Sequence, residues 1–121
     1  MMRSSTSVFT VRDVLASLAY YRDKLGFQVD FQYGTPVFYV GVYDGKVALH
    51  LRAAHRFSHS QPGQSAVSII VDDVDALHAD LVKRGANVTK APANYDYGLR
   101  DFEVTDLDGN MIYFGMELKK D

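Results

Sequence analysis

Apolar positions along the chain recur with two spacings, one close to two residues and one close to 3.6. Residues 7–11 and 66–71 are rich in β-branched and aromatic side chains and read as strands. Each is followed by a helical period. Val14, Leu18, Tyr21 and Leu25 fall at i, i+4, i+7 and i+11, on one helix face, and Val74, Leu77 and Leu81 form a shorter version. The openings Val11-Arg12-Asp13-Val14 and Val71-Asp72-Asp73-Val74 match at an offset of 60 residues. Asp13 and Asp73 are placed to cap the helix N-termini, and Gly26 and Gly85 to end the helices in a left-handed conformation. After each glycine the period returns to two. The first half predicts strands at 27–33, 37–43 and 46–52, and the second at 87–90, 99–105 and 111–116. Gly34-Thr35-Pro36, Tyr43-Asp44-Gly45 and the run 106–110 supply turn chemistry. Each half therefore reads βαβββ. The expected fold class is α+β, one domain of 121 residues made of two tandem modules. Module 1 spans about 6–52, a polar linker 53–64, and module 2 about 65–118; 91–98 is expected to be a second irregular loop.

Composition narrows the function classes. The chain is 47% hydrophobic and 23% charged with a net charge of -2, which does not suit a nucleic-acid-binding surface. Its longest apolar runs are too short to cross a bilayer. With no cysteine it has no disulfide and no thiolate nucleophile or metal ligand. The first residues lack the apolar core of a secretory leader, so a cytoplasmic location is expected. Eight Tyr and seven Phe with no Trp fit either an aromatic core or a cavity with apolar walls and a few hydroxyls.

Alternation assigns side chains to faces. In 47–52, Val47, Leu49 and Leu51 share the face toward the helix, and Ala48, His50 and Arg52 the opposite one. His50 is either a ligand contact or a half-buried imidazole satisfied by a neighbouring Tyr. Arg52 either meets an anionic group or ends the strand in solvent. On the last strand Met111 and Tyr113 face away from the core; on the fifth, Ala66, Ser68 and Ile70 do. On the third, either Phe38 or Tyr39 does. Tyr95 and Tyr97 lie in the loop before the seventh strand, where flat rings could stack on a planar or cationic compound. Glu103 is the one carboxylate near these strands, either an acid–base group or an exposed edge charge. His78 on the second helix reads as exposed, and His55 and His59, four apart in the linker, as solvated.

Val11-Arg12-Asp13-Val14, Tyr20-Tyr21-Arg22-Asp23 and Leu25-Gly26-Phe27 resemble the first-helix signature of the vicinal oxygen chelate superfamily, which includes glyoxalase I, bleomycin and fosfomycin resistance proteins and extradiol dioxygenases. Tyr97-Gly98-Leu99-Arg100-Asp101-Phe102 and Asp106-Leu107-Asp108-Gly109-Asn110 resemble its closing segment. The resemblance implies curved mixed sheets around a cleft, and commonly a homodimer with sites across the interface. Metal-dependent members carry four His, Gln or Glu ligands; the matching positions here are Thr6, His50, Ala66 and Tyr113. One good donor in four does not hold a divalent ion, so no cofactor is expected.

The function expected on this basis is that of the metal-free bleomycin-resistance branch: a small-molecule binder, homodimeric, that sequesters a partly aromatic ligand. Its expected contacts are His50, Arg52, Ser68, Tyr97, Met111, Tyr113, Phe38 and Tyr39. The alternatives are a glyoxalase-like lyase, isomerase or dioxygenase with an atypical metal site centred on His50, and a regulatory or immunity protein acting through its dimer surface. Neither a nucleic acid nor a membrane is an expected partner.

Overall fold

The computed structural model describes residues 1–57 and 61–119. Strands β1 (Ser7–Val11), β2 (Gln28–Gly34), β3 (Val37–Asp44) and β4 (Val47–Ala53) form one sheet in the order β1-β4-β3-β2. Strands β5 (Ala66–Ile70), β6 (Val88–Asn94), β7 (Leu99–Thr105) and β8 (Met111–Glu117) form a second in the order β5-β8-β7-β6. In each sheet the pair β1–β4 or β5–β8 is parallel and the other two ladders are antiparallel. Helices α1 (Val14–Asp23) and α2 (Val74–Arg84) connect the first two strands of their modules. The duplicated βαβββ reading of the sequence is the observed architecture. No described helix is long and apolar enough to cross a membrane.

Local chemistry explains the helices. The Asp13 and Asp73 carboxylates each accept from the backbone N–H three residues on, Ala16 and Ala76, at 3.0 Å. Gly85 ends α2 at φ 86°, a conformation costly for any side chain. Helix α1 differs from expectation: it stops at Asp23 with Lys24 still right-handed, and Gly26 turns the chain two residues later at φ 80°.

Two further boundaries and one histidine differ from the sequence reading. Ala53 completes β4, and Ala54–Arg56 form a 3-10 turn inside the expected linker. Strand β6 runs on through Pro92 into the expected loop. It is an edge strand whose register slips between Lys90 and Ala93, so Pro92 removes no ladder hydrogen bond. His78 is half-buried, its ring edge-on to Phe102 at 5.2 Å, because it lies on the flank of α2 that covers the sheet.

The core lies between each helix and its own sheet: Val14, Leu18 and Tyr21 against Val40, Val42, Leu49 and Leu51, and Val74 and Leu81 against Phe102, Val104 and Ile112. A polar network joins the modules. Asp106 is almost fully buried; its Oδ1 accepts from the backbone N–H groups of Asp108, Gly109 and Asn110, and its Oδ2 from Tyr21 Oη and Asn110 Nδ2. Asn110 also donates to the Thr10 carbonyl. Tyr20 Oη donates to the Thr105 carbonyl and accepts from Asn87 N–H, and Arg12 pairs with Asp108. Burial of so many polar groups is tolerated because each has a partner.

Candidate functional site

The faces of the two sheets turned away from the helices stay open, and they carry the candidate residues. On sheet 1, His50, Gly41 and Phe31 stand side by side across β4, β3 and β2. Tyr39 Oη lies 2.9 Å from His50 Nδ1. The Phe31 and Tyr39 rings are nearly parallel, 12° apart at 6.1 Å, and both meet the imidazole edge-on at 5.2 and 5.3 Å. Phe57, just after the 3-10 turn, closes the end of the cluster against Tyr39, with the Arg52 guanidinium 4.9 Å over its ring. Arg52 Nε also donates to Thr10 Oγ1. The face is an aromatic floor with a cationic end.

Two features of the chain create this cluster. The β2–β3 register slips between Val29 and Phe31, making Asp30 a bulge. Val29 then sits opposite Val42 on the core side, and Phe31, two residues on, opposite Gly41 on the open side. Gly41 makes the room: a Cβ there would lie within 3.0 Å of Phe31 Cζ and closer still to Cε1.

Sheet 2 presents a different face. Tyr113 stands opposite Glu103, and Asp101 opposite Gly115. Glu103 accepts from Thr89 Oγ1 at 2.6 Å, and Asp101 from Tyr97 Oη at 2.6 Å. The bond to Asp101 pushes the Tyr97 phenol up to about 12, and partial burial, with the Glu103 carboxylate alongside, raises Tyr113. Tyr95 and Tyr97 stack at 5.2 Å with planes 2° apart, and Lys90 Nζ lies 6.0 Å over Tyr95. Tyr113 Oη also reaches Met111 Sδ at 3.5 Å. Ala66, Ser68 and Ile70 on β5 are exposed.

The expected site residues therefore fall into two groups on two sheets. His50, Arg52 and Tyr39 come together on sheet 1; Ser68, Met111 and Tyr113 share sheet 2, with Tyr97 at its rim. Of the pair left open on β3, Tyr39 meets His50. Phe38 is the extra residue where the register slips between Tyr33 and Gly34; it contacts Tyr33, Phe57 and the Arg56 guanidinium, 4.1 Å over its ring. Glu103 is on the open face but is not its one carboxylate, since Asp101 shares it. Phe31, Phe57 and Asp101 escaped the sequence reading. No residue pattern marks the Asp30 bulge, and Phe57 lies in a stretch that reads as polar linker.

The ligand positions implied by the resemblance do not converge. The β1–β4 register sets Val8, not Thr6, beside His50, and the β5–β8 register sets Ser68, not Ala66, beside Tyr113. Ala66 has no donor atom. His55 is exposed on the helix side of sheet 1 beside Arg12 and Pro36, and His59 lies outside the described residues. Among the described residues no three His, Asp or Glu side chains gather as a metal set. The residues present do not fit a resident metal at these positions.

A family model described as Glyoxalase/Bleomycin resistance protein/Dioxygenase superfamily matches residues 5–114. The chain belongs to this superfamily. No functionally curated protein matches it in sequence. Solved structures share its fold. TnmS3, an antibiotic-binding protein from Streptomyces sp. CB03234, is 28% identical with a TM-score of 0.77, covering 97% of this chain and 98% of its own. The bleomycin-binding protein of Streptomyces verticillus, solved with copper(II)-bleomycin, is 25% identical with a TM-score of 0.78, covering 99% and 98%. A lactoylglutathione lyase from Agrobacterium tumefaciens is 20% identical with a TM-score of 0.77, covering 94% and 92%, a likeness of fold. One fold thus carries both binding and catalysis, and the choice for this chain rests on its own side chains.

Proposed function

We propose that this protein binds and sequesters a partly aromatic small molecule without a metal, as a homodimer in which sheet 1 of one copy and sheet 2 of the other wall each cleft. The observation that carries the reading is the half-exposed cluster of Phe31, Tyr39, His50 and Phe57: flat apolar rings, one imidazole and a neighbouring guanidinium, the lining expected of a ligand site. The apolar groups carried by both open faces support the pairing. Val8, Phe31, Ile70 and Tyr97 are exposed on or beside them, and a second copy covers this apolar area. The faces also differ in charge, with Arg52 on one and Asp101 and Glu103, with Lys90 beside them, on the other.

The test combines light scattering with a thermal-shift screen of planar antibiotics, metal-free bleomycin among them, in the presence of EDTA. A dimer whose melting temperature rises with a planar compound is expected, since a ligand at 100 times its Kd adds about 2.7 kcal/mol to stability. A stoichiometric divalent metal in the purified protein, lost in His50→Ala, overturns the metal-free reading. A monomer overturns the shared cleft.

A further inference from the structure

We infer that His50 serves the cleft as a hydrogen-bond donor through Nε2, with Tyr39 as the positioning residue that fixes its tautomer, and that the ligand is a planar aromatic molecule bearing a conjugated acceptor oxygen. The inference rests on the ligand-binding reading above and deepens it.

His50 Nδ1 is engaged by Tyr39 Oη at 2.9 Å. In such a pair the phenol is the more acidic donor and the neutral imidazole nitrogen the more basic acceptor, so the hydroxyl donates and Nδ1 accepts. A neutral imidazole carries one proton, and with Nδ1 accepting, that proton sits on Nε2. No described group in the chain engages Nε2. It is not a sealed atom either: Ser17 Oγ is the one described side-chain nitrogen or oxygen that is buried without a partner. Nε2–H is therefore a free donor on the open face.

Its surroundings fix what it can serve. Phe31 and Tyr39 hold the imidazole edge-on from two sides, at 85° and 73°, which locks the ring and spares a ligand the cost of ordering it. The same rings offer a flat ligand a face to lie against. A flat molecule with a carbonyl or phenolate oxygen on its rim satisfies both the rings and the donor. A hydrocarbon of the same shape leaves the donor stripped of water and unpaired, which is where selectivity arises.

The probes are anthraquinone-2-sulfonate and anthracene-2-sulfonate, matched in ring count and in their sulfonate, and differing in the ring carbonyls. Calorimetry on the wild-type protein is expected to favour the quinone by roughly threefold to tenfold, the worth of one hydrogen bond. His50→Phe, which keeps a ring, is expected to abolish that preference. In ¹⁵N spectra at pH 8.5, His50 is expected to carry its proton on Nε2 in the wild type, with an Nδ1–H population appearing in Tyr39→Phe. A wild-type proton on Nδ1, or a tautomer unchanged by Tyr39→Phe, overturns the role given to Tyr39. Equal binding of both probes overturns the donor while leaving the aromatic cleft intact. Binding of neither probe overturns the aromatic cleft, and the donor's purpose with it.

Discussion

Gly41→Ala separates the site from the fold. Gly41 has ordinary extended backbone, so alanine meets no conformational penalty there and gains about 0.4–1 kcal/mol by restricting the unfolded chain. The new methyl meets the Phe31 ring first: Cε1, Cδ1 and Cζ are its three nearest neighbours. Phe31 lies on an edge strand and is 36% exposed, so the ring can swing into solvent. That gives up its contacts with Tyr39 and His50, each worth about 0.5–1.5 kcal/mol when fully formed and less at a half-exposed site. The two effects nearly cancel, and stability in a urea titration is expected to fall by no more than about 1.5 kcal/mol. Ligand affinity carries no compensating gain: loss of the Phe31 face removes one side of the aromatic floor and is expected to weaken a planar ligand about tenfold, read by calorimetry against wild type. A stability loss above about 3 kcal/mol would show that the methyl strikes something less yielding than a side chain. An unchanged affinity for a compound the wild type binds would show that Phe31 does not line the site.

Two further predictions concern the polar network. Tyr21→Phe removes a buried hydroxyl donated to Asp106 and is expected to cost about 1–3 kcal/mol near neutral pH in chemical denaturation. Burial, reinforced by Asp106, holds the Tyr21 phenol well above its ordinary value of 10.0, so its contribution is present below pH 10 and lost as pH rises beyond it; wild-type stability should fall more steeply above pH 10 than that of the variant. Asn110→Ala leaves the Ser65 N–H and one Asp106 oxygen short of partners at a fully buried position and is expected to cost about 3 kcal/mol, a loss below 1 kcal/mol contradicting the importance given to the network.

Much of the fold was legible because it rests on short-range rules. The Asp caps, the terminal glycines and the return to period two after each helix are written in neighbouring residues, and the 60-residue echo needs no contacts to be seen. Face assignment on β4, β5 and β8 followed directly from alternation, since those strands pair without interruption. Strands β2 and β6 do not follow the same rule. Their registers slip, at Asp30 and between Lys90 and Ala93, and a slip of one residue exchanges the two faces of everything beyond it. Nothing local distinguishes Asp30 from an ordinary exposed strand residue. Asp101 went unnoticed for another reason: alternation places it beside Glu103, but its partner Tyr97 lies across a turn that only the folded chain brings back.

The irregular edges uncouple the lining of the open faces from the core. Strands β2 and β6 border their sheets and are largely exposed, yet β2 delivers Phe31 and β6 delivers Lys90 and Thr89 to the open faces. Inserting or deleting one residue at such a border re-aims the lining while Leu49, Leu51, Ile112 and Phe114, on the strands inside, keep their packing. Single-residue length changes at the sheet margins therefore re-aim the lining of the open faces and leave the core unaltered.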